Sequence, residues 1–128
     1  MIVSDGNSSL FIVDKRFSIL QELPILDEWG NSLDMINKIE WVEGEEEDYV
    51  YANLFMSKDI VKIGMTSQKV LKRWDMTELV HDSRSYEHYV PHDVLNGIAF
   101  DKKTGHFIVT GKQYRRYYVM QLDGKPQK

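Results

Sequence analysis

The chain has 128 residues, of which 42% are hydrophobic and 28% are charged, so its composition is that of a globular domain. It contains no cysteine, which excludes disulfides, thiolate metal sites and cysteine nucleophiles. The formal net charge of −4 argues against binding of nucleic acid through its phosphates, because such binding uses a surplus of Lys and Arg. No segment approaches the ~20 consecutive apolar residues of a membrane-spanning helix.

Short runs that alternate apolar with polar residues, separated by turn residues, predict an all-β chain. Ile2 and Val3 already have strand character, so the sequence starts inside a strand. One helical turn is predicted over Thr77–Leu79, and the polar stretch 81–92 is predicted to be a loop inserted between strands. The further predicted strands, in chain order, are Ser9–Asp14, Phe17–Leu23, Met35–Val42, Tyr49–Phe55, Asp59–Gly64, Val70–Asp75, Val94–Asp101, His106–Thr110 and Arg116–Leu122.

An internal repeat organises these strands. Three segments share a strand that ends near a small or polar residue, a short polar connection and a following apolar strand: VSDGNSSLFIVD (3–14), YANLFMSKDIVKIG (51–64) and VTGKQYRRYYVMQL (109–122). Upstream of the last two, INKIEW (36–41) aligns with LNGIAF (95–100). Four-stranded units that recur every ~40 to 45 residues are typical of propeller blades. About two and a half such units fit in residues 1–128, while a closed propeller needs at least ~4, so the sequence predicts a partial β-propeller.

Two asparagines are candidates for a site at the propeller channel. Asn37 and Asn96 occupy equivalent positions at the start of predicted innermost strands, which line the channel in a propeller. An asparagine at the start of a strand can equally satisfy nearby backbone groups as an Asx turn, and this local interpretation stays open. Lys112 lies two residues after the end of a predicted strand, where a solvated lysine is the plain alternative to a functional one.

Five motifs in order resemble one known family: INKIEWVEG (36–44), YVYANLF (49–55), SKDIVKIG (57–64), DVLNGIAFD (93–101) and HFIVTGK (106–112). From Ile2 to Leu122 the chain resembles the glutamine cyclotransferases, the glutaminyl cyclases of plant and bacterial type. The resemblance implies a five-bladed propeller that converts the N-terminal glutamine of a peptide or protein to pyroglutamate and releases ammonia, without a cofactor or catalytic metal. It also implies that residues 1–128 are the C-terminal portion of such a domain, with the catalytic Glu, the general acid, located before Met1.

The resemblance implies a substrate-binding set of Asn37, Phe55, Asn96 and Lys112 and no catalytic residue within the chain. Asn37 matches the family's substrate-binding Asn, and Lys112 matches a Lys that faces the same pocket. An amide and an ammonium suit a carbonyl and its developing negative charge. Phe55 stands where the family carries Trp, so an aromatic wall is kept and an indole N–H donor is lost.

Other functions are open at this point. The absent Glu and the Trp-to-Phe difference favour a noncatalytic propeller-type interaction protein as the alternative. His81, His88 and His92 lie close in sequence but lack the helical spacing of a zinc motif, and the acidic run 43–48 lacks the ligand pattern of a calcium loop, so no metal site is expected. The open blade edges of a partial propeller predict self-association.

Overall fold

The computed structural model describes residues 1–55, 57–80, 95–111 and 117–122. Within these ranges ten strands form three antiparallel sheets, which confirms the all-β prediction. None of the described helices is long and apolar enough to cross a membrane. Sheet I contains β1 (Ile2–Ser4), β2 (Ser9–Val13) and β3 (Ile19–Pro24); sheet II contains β4 (Ile36–Val42), β5 (Tyr49–Leu54), β6 (Asp59–Gly64) and β7 (Lys69–Asp75); sheet III contains β8 (Leu95–Asp101), β9 (His106–Gly111) and β10 (Tyr118–Met120).

Consecutive strands are neighbours within every sheet, so each sheet is an antiparallel meander. Strand β4 of sheet II lies beside strand β8 of sheet III and also contacts β1 of sheet I. The predicted helical turn is present over residues 77–80, directly after β7. The three sheets therefore follow one another in chain order, with β4 and β8 adjacent across the boundary between sheets II and III.

Sheet II is covered on both faces because apolar residues occupy both sides of its second strand. Val50, Ala52 and Leu54 of β5 belong to a core cluster shared with sheet I, while Tyr51 belongs to a cluster shared with sheet III. The Tyr51 ring lies 4.4 Å from the Phe107 ring, measured between centroids. Since side chains alternate along a strand, this single strand supplies apolar surface to two neighbours.

The connection between sheets I and II closes the outer edge of sheet II. The Leu26 N–H donates to the carbonyl of Gln68 (3.0 Å), and the Val70 N–H donates to the carbonyl of Leu26 (2.9 Å). Beside this bridge the Arg73 guanidinium binds both carboxylate oxygens of Glu28, at 2.7 and 2.9 Å, and an oxygen of Asp59 at 2.8 Å. An outer strand that would otherwise present unpaired backbone groups is thus protected.

Strand β3 starts later than the sequence predicts. Phe17, expected in the strand, lies in a turn with φ 63° and is exposed. The turn forms because Oδ1 of Asp14 accepts the backbone N–H groups of Arg16 (2.8 Å) and Ser18 (3.0 Å), which draws the chain back on itself. The strand begins only at Ile19.

Replacing Arg73 with Met should lower the free energy of unfolding by about 1 kcal/mol at neutral pH, since the three bonds lie at a partly exposed edge. The hydrogen bond from Arg73 lowers the pKa of Glu28 from its ordinary 4.5. The stabilisation is therefore present above that ordinary value and lost as the pH falls through the lowered one. Urea unfolding at pH 7 and pH 3 measures this, with the exposed Lys15→Met as control. An equal difference from wild type at both pH values would contradict the assignment.

Candidate functional site

The first site asparagine lies in a β-bulge of sheet II. Asn37 and Lys38 of β4 together oppose the single residue Asn53 of β5, because the register shifts between Ile36 and Ile39. A bulge bends its strand and redirects a side chain that would otherwise follow the regular alternation. Asn37 is half-buried at this bend.

The second site asparagine lies in an equivalent bulge of sheet III. Asn96 and Gly97 of β8 oppose Thr110 of β9, because the register shifts between Leu95 and Ile98. A Cβ atom at position 97 would lie only 2.8 Å from Cγ2 of Thr110, so a side chain there would clash. Glycine therefore fits next to Asn96 in this bulge. The aligned sequence positions therefore correspond to the same backbone irregularity in both sheets.

The two bulges bring their asparagine side chains into contact. Nδ2 of Asn37 donates a hydrogen bond to Oδ1 of Asn96 at 2.6 Å, across the boundary between sheets II and III. This bond runs between neighbouring sheets instead of to a local backbone group, so the Asx-turn interpretation does not describe it. We call these two residues the asparagine pair. Because its Nδ2 is turned toward Asn96, the orientation of the Asn37 carboxamide is fixed.

Sheet I supports the backbone of the pair from the other side. Oγ of Ser4 donates to the carbonyl oxygen of Asn37 at 2.6 Å, and the Ile36 N–H donates to the carbonyl of Asn7 at 3.1 Å. Both bonds join strand β4 to the end of β1 and the turn that follows it. The position of Asn37 is thus determined by residues from all three sheets.

A buried polar residue lies between the bulges. Asn53 is fully buried, and among the described residues it is the one polar side chain in the core. Its Nδ2 donates to the carbonyl of Leu95 at 2.8 Å, and its Oδ1 accepts the Lys38 N–H at 3.1 Å. The repeat pattern assigns Asn53 no contact role; the signal for one was a carboxamide within the apolar run YVYANLF.

Phe55 lies at the same end of sheet II as the asparagine pair. It directly follows β5, and its N–H donates to the carbonyl of Met35, two residues before Asn37, at 2.7 Å. Its side chain is partly exposed. Lys112 lies outside the described residues. The residue before it, Gly111, ends β9 and is paired with Leu95, the neighbour of Asn96.

The carboxylate of β4 binds the backbone of sheet III and not the asparagine pair. Glu40, the carboxylate of β4, accepts the backbone N–H of Phe100 at 2.8 Å. A cavity of 770 Å³ opens at the other end of β4 and β8, where Nζ of Lys62 lies 4.2 Å from the ring centroid of Tyr49. This cavity is lined by neither of the paired asparagines.

No metal centre is present in the described part of the chain, where no group of three His, Cys, Asp or Glu side chains is placed to hold an ion. The three histidines considered from the sequence, His81, His88 and His92, lie outside the described residues. The described part of the site contains neutral carboxamides at the junction of two bulged strands, which can donate to and accept from an amide ligand.

Comparison of the fold places the chain among glutaminyl cyclases. The solved structure of Myxococcus xanthus glutaminyl cyclase matches with a TM-score of 0.82 and 26% sequence identity, over 94% of this chain and 50% of that one. The chain belongs to the glutamine cyclotransferase family, whose profile matches residues 1–122. The family resemblance of the five motifs is thereby confirmed.

A curated relative has a similar extent of match. The glutaminyl-peptide cyclotransferase of Arabidopsis thaliana is 28% identical over 119 residues, which are 93% of this chain and 36% of the relative. The chain thus spans about a third of that relative and half of the solved Myxococcus chain.

Proposed function

We propose that the chain contributes the carboxamide-binding part of a glutaminyl-peptide cyclotransferase, which acts on peptides or proteins with an N-terminal glutamine. The observation that carries this proposal is the asparagine pair, held at 2.6 Å in two equivalent bulges of a protein of this family. A glutamine side chain ends in a carboxamide, whose carbonyl and NH2 are matched by the donors and acceptors of asparagine.

The proposed reaction needs three contributions from the protein. The substrate's α-amine attacks its γ-carboxamide carbon, and the new C–N bond closes the ring. The bond from this carbon to the amide nitrogen breaks, that nitrogen leaves as ammonia after it takes up a proton, and the proton lost by the α-amine restores the general acid. Asn37 and Lys112 stabilise the oxygen on which negative charge develops, while Phe55 forms an aromatic wall. The proton for ammonia comes from a general acid, which the family resemblance assigns to a Glu outside residues 1–128.

We also propose that the three sheets are blades of a five-bladed propeller, with sheet II a complete blade. Its four strands in meander order and the adjacency of β4 and β8 support this interpretation. In such a propeller β4 and β8 line the central channel, and the asparagine pair faces it at one end. The loops at that end then gather side chains from several blades into one site.

A noncatalytic interaction protein is the second candidate, favoured by Phe55. Where the family has Trp, this residue keeps the ring but lacks the indole N–H donor. Under this alternative the asparagine pair stays a structural bond between sheets, and no peptide with an N-terminal glutamine is processed by any protein containing this chain.

The purified 128-residue chain should release no ammonia from a peptide with an N-terminal glutamine. Two amides and a lysine cannot replace the general acid that protonates the leaving group. A coupled ammonia assay measures this, with the Myxococcus xanthus enzyme as positive control. Ammonia release above the level without protein would mean that the chain carries its own acid.

A chimera in which residues 1–122 replace the matched half of the Myxococcus xanthus enzyme tests the site residues. If the chimera is active, Asn37→Ala and Lys112→Ala should each lower turnover by ~10²-fold, the effect of losing one transition-state donor. Lys15→Ala, in the exposed turn before β3, is the control. Near-unchanged turnover for both site variants would favour local turn and surface roles for these residues.

The chain should self-associate, since in the described part of the structure β1 and β10 each lie at an edge of their sheet. Tyr117 is 69% and Val119 58% exposed, as the open third sheet predicts. Val13, by contrast, is only 4% exposed and its backbone pairs with Met1, so it does not add to an open face of sheet I. Light scattering should give a mass above that of the 15.1 kDa monomer. A monodisperse monomer that unfolds cooperatively would refute this.

A further inference from the structure

We infer that Asn53 is a positioning residue for the asparagine pair: its single carboxamide sets the register between sheets II and III so that Asn37 and Asn96 meet. Any effect of Asn53 on substrate binding or catalysis rests on the proposed function. The geometric role is independent of it and can be tested without any substrate.

Asn53 binds the backbone immediately next to each member of the pair. Its Nδ2 donates to the carbonyl of Leu95, the residue before Asn96, at 2.8 Å. Its Oδ1 accepts the N–H of Lys38, the residue after Asn37, at 3.1 Å. One planar group therefore spans the two bulges, and a shift of either strand along its axis would break one of the two bonds.

The chemistry of the position requires a carboxamide. A carboxylate would retain an acceptor for Lys38 and lose the donor to Leu95, while an aliphatic side chain would lose both. Asn53 is fully buried, so water does not compete for either partner, and an unmade bond would leave a buried polar group unsatisfied.

The packing of sheet II against sheet III does not depend on Asn53. Tyr51, two positions earlier on the same face of β5, contacts the Phe107 ring at 4.4 Å, and Val109 and Leu122 join the same apolar cluster. Aromatic and aliphatic contacts of this kind tolerate small sliding movements, because they are not directional. The two hydrogen bonds of Asn53 are directional, so they define the register between sheets II and III, which the apolar contacts do not fix.

Sheet I is also aligned with the next sheet by a hydrogen bond from a polar side chain, in this case that of Ser4. Strand β1 aligns with β5 in the sequence repeat, and Oγ of Ser4 donates to the carbonyl of Asn37 at 2.6 Å. Each of these strands thus extends one polar side chain to the bulge of the following sheet. This parallel supports a role in placing the site asparagines.

The test is the hydrogen exchange of asparagine side-chain amides, followed by NMR in the full 128-residue chain. In the wild type the Nδ2 protons of Asn37 should exchange at least ~10-fold more slowly than those of Asn31, which lies in an exposed turn. In Asn53→Asp and Asn53→Ala this difference should fall to within ~2-fold. Ile63→Ala is the matched control: it truncates a fully buried side chain of β6 far along the strand from the bulges, and the slow exchange of Asn37 should persist.

Four results would overturn the inference. These are rapid exchange of Asn37 in the wild type, undiminished protection in a folded Asn53→Asp protein, equal loss of protection in Ile63→Ala, or failure of every Asn53 variant to fold. The last would show that the residue serves the fold as a whole and not the pair.

A titration of the same samples with a glutamine-initiated dipeptide separates this inference from the proposed function. If the wild type binds the peptide, Asn53→Asp should weaken binding at least ~10-fold relative to Ile63→Ala, about 1.4 kcal/mol in binding free energy. If the wild type binds nothing, the proposed function loses support, while the exchange data still decide whether Asn53 positions the pair.

Discussion

The burial of strand β5 on both faces is the constraint on which the rest of the structure depends. Val50, Ala52 and Leu54 face sheet I, and Tyr51 and Asn53 face sheet III, so a single strand joins two apolar clusters. A strand with this composition cannot lie at the surface, because each fully buried aliphatic side chain contributes roughly 1.5 to 3 kcal/mol. The flanking sheets must cover it, and their first strands then come to lie beside β4.

The polar contacts at the junction between sheets II and III follow from this burial of β5. Apolar packing fills the space between sheets, and the hydrogen bonds of Ser4, Asn53 and Glu40 to neighbouring backbone groups define how β4 and β8 align. The asparagine pair lies where these bonds converge. At the other end of the strands, the Glu47 carboxylate accepts the N–H groups of Thr66 and Ser67. The carboxamides of the asparagine pair suit an uncharged amide ligand.

Much of the fold could be predicted from the sequence because strand periodicity and the repeat are local signals. The repeat alignment gave Asn37 and Asn96 equivalent positions, but it did not predict the hydrogen bond between them. The bulges could not be predicted, since a two-against-one register depends on the pairing partner and not on the strand itself. The same limit applies to Asn53, whose partners lie in the bulge of β4 and in sheet III, and to Phe17, where the Asp14 side chain overrides strand propensity. Lys112 lies beyond the described residues, so its predicted place near the pair stays a prediction.

The segment between β3 and β4 shows what kind of sequence change this architecture can absorb. Most connections in small domains can gain or lose residues at little cost, because only their ends are fixed. Here Leu26 is fixed in the middle, bonded on both sides to the outer strand of sheet II, and Glu28 is fixed by Arg73. A residue inserted before Leu26 would displace these anchors relative to β7. The stretch after Glu28 folds back, with Ser32 bridged to Leu26 and the buried Leu33 bonded to Ile25, so only its exposed tip at residues 29–31 can lengthen at little cost. The connection therefore has a set length on both sides of this tip, and variation in chain length between relatives is expected to collect there.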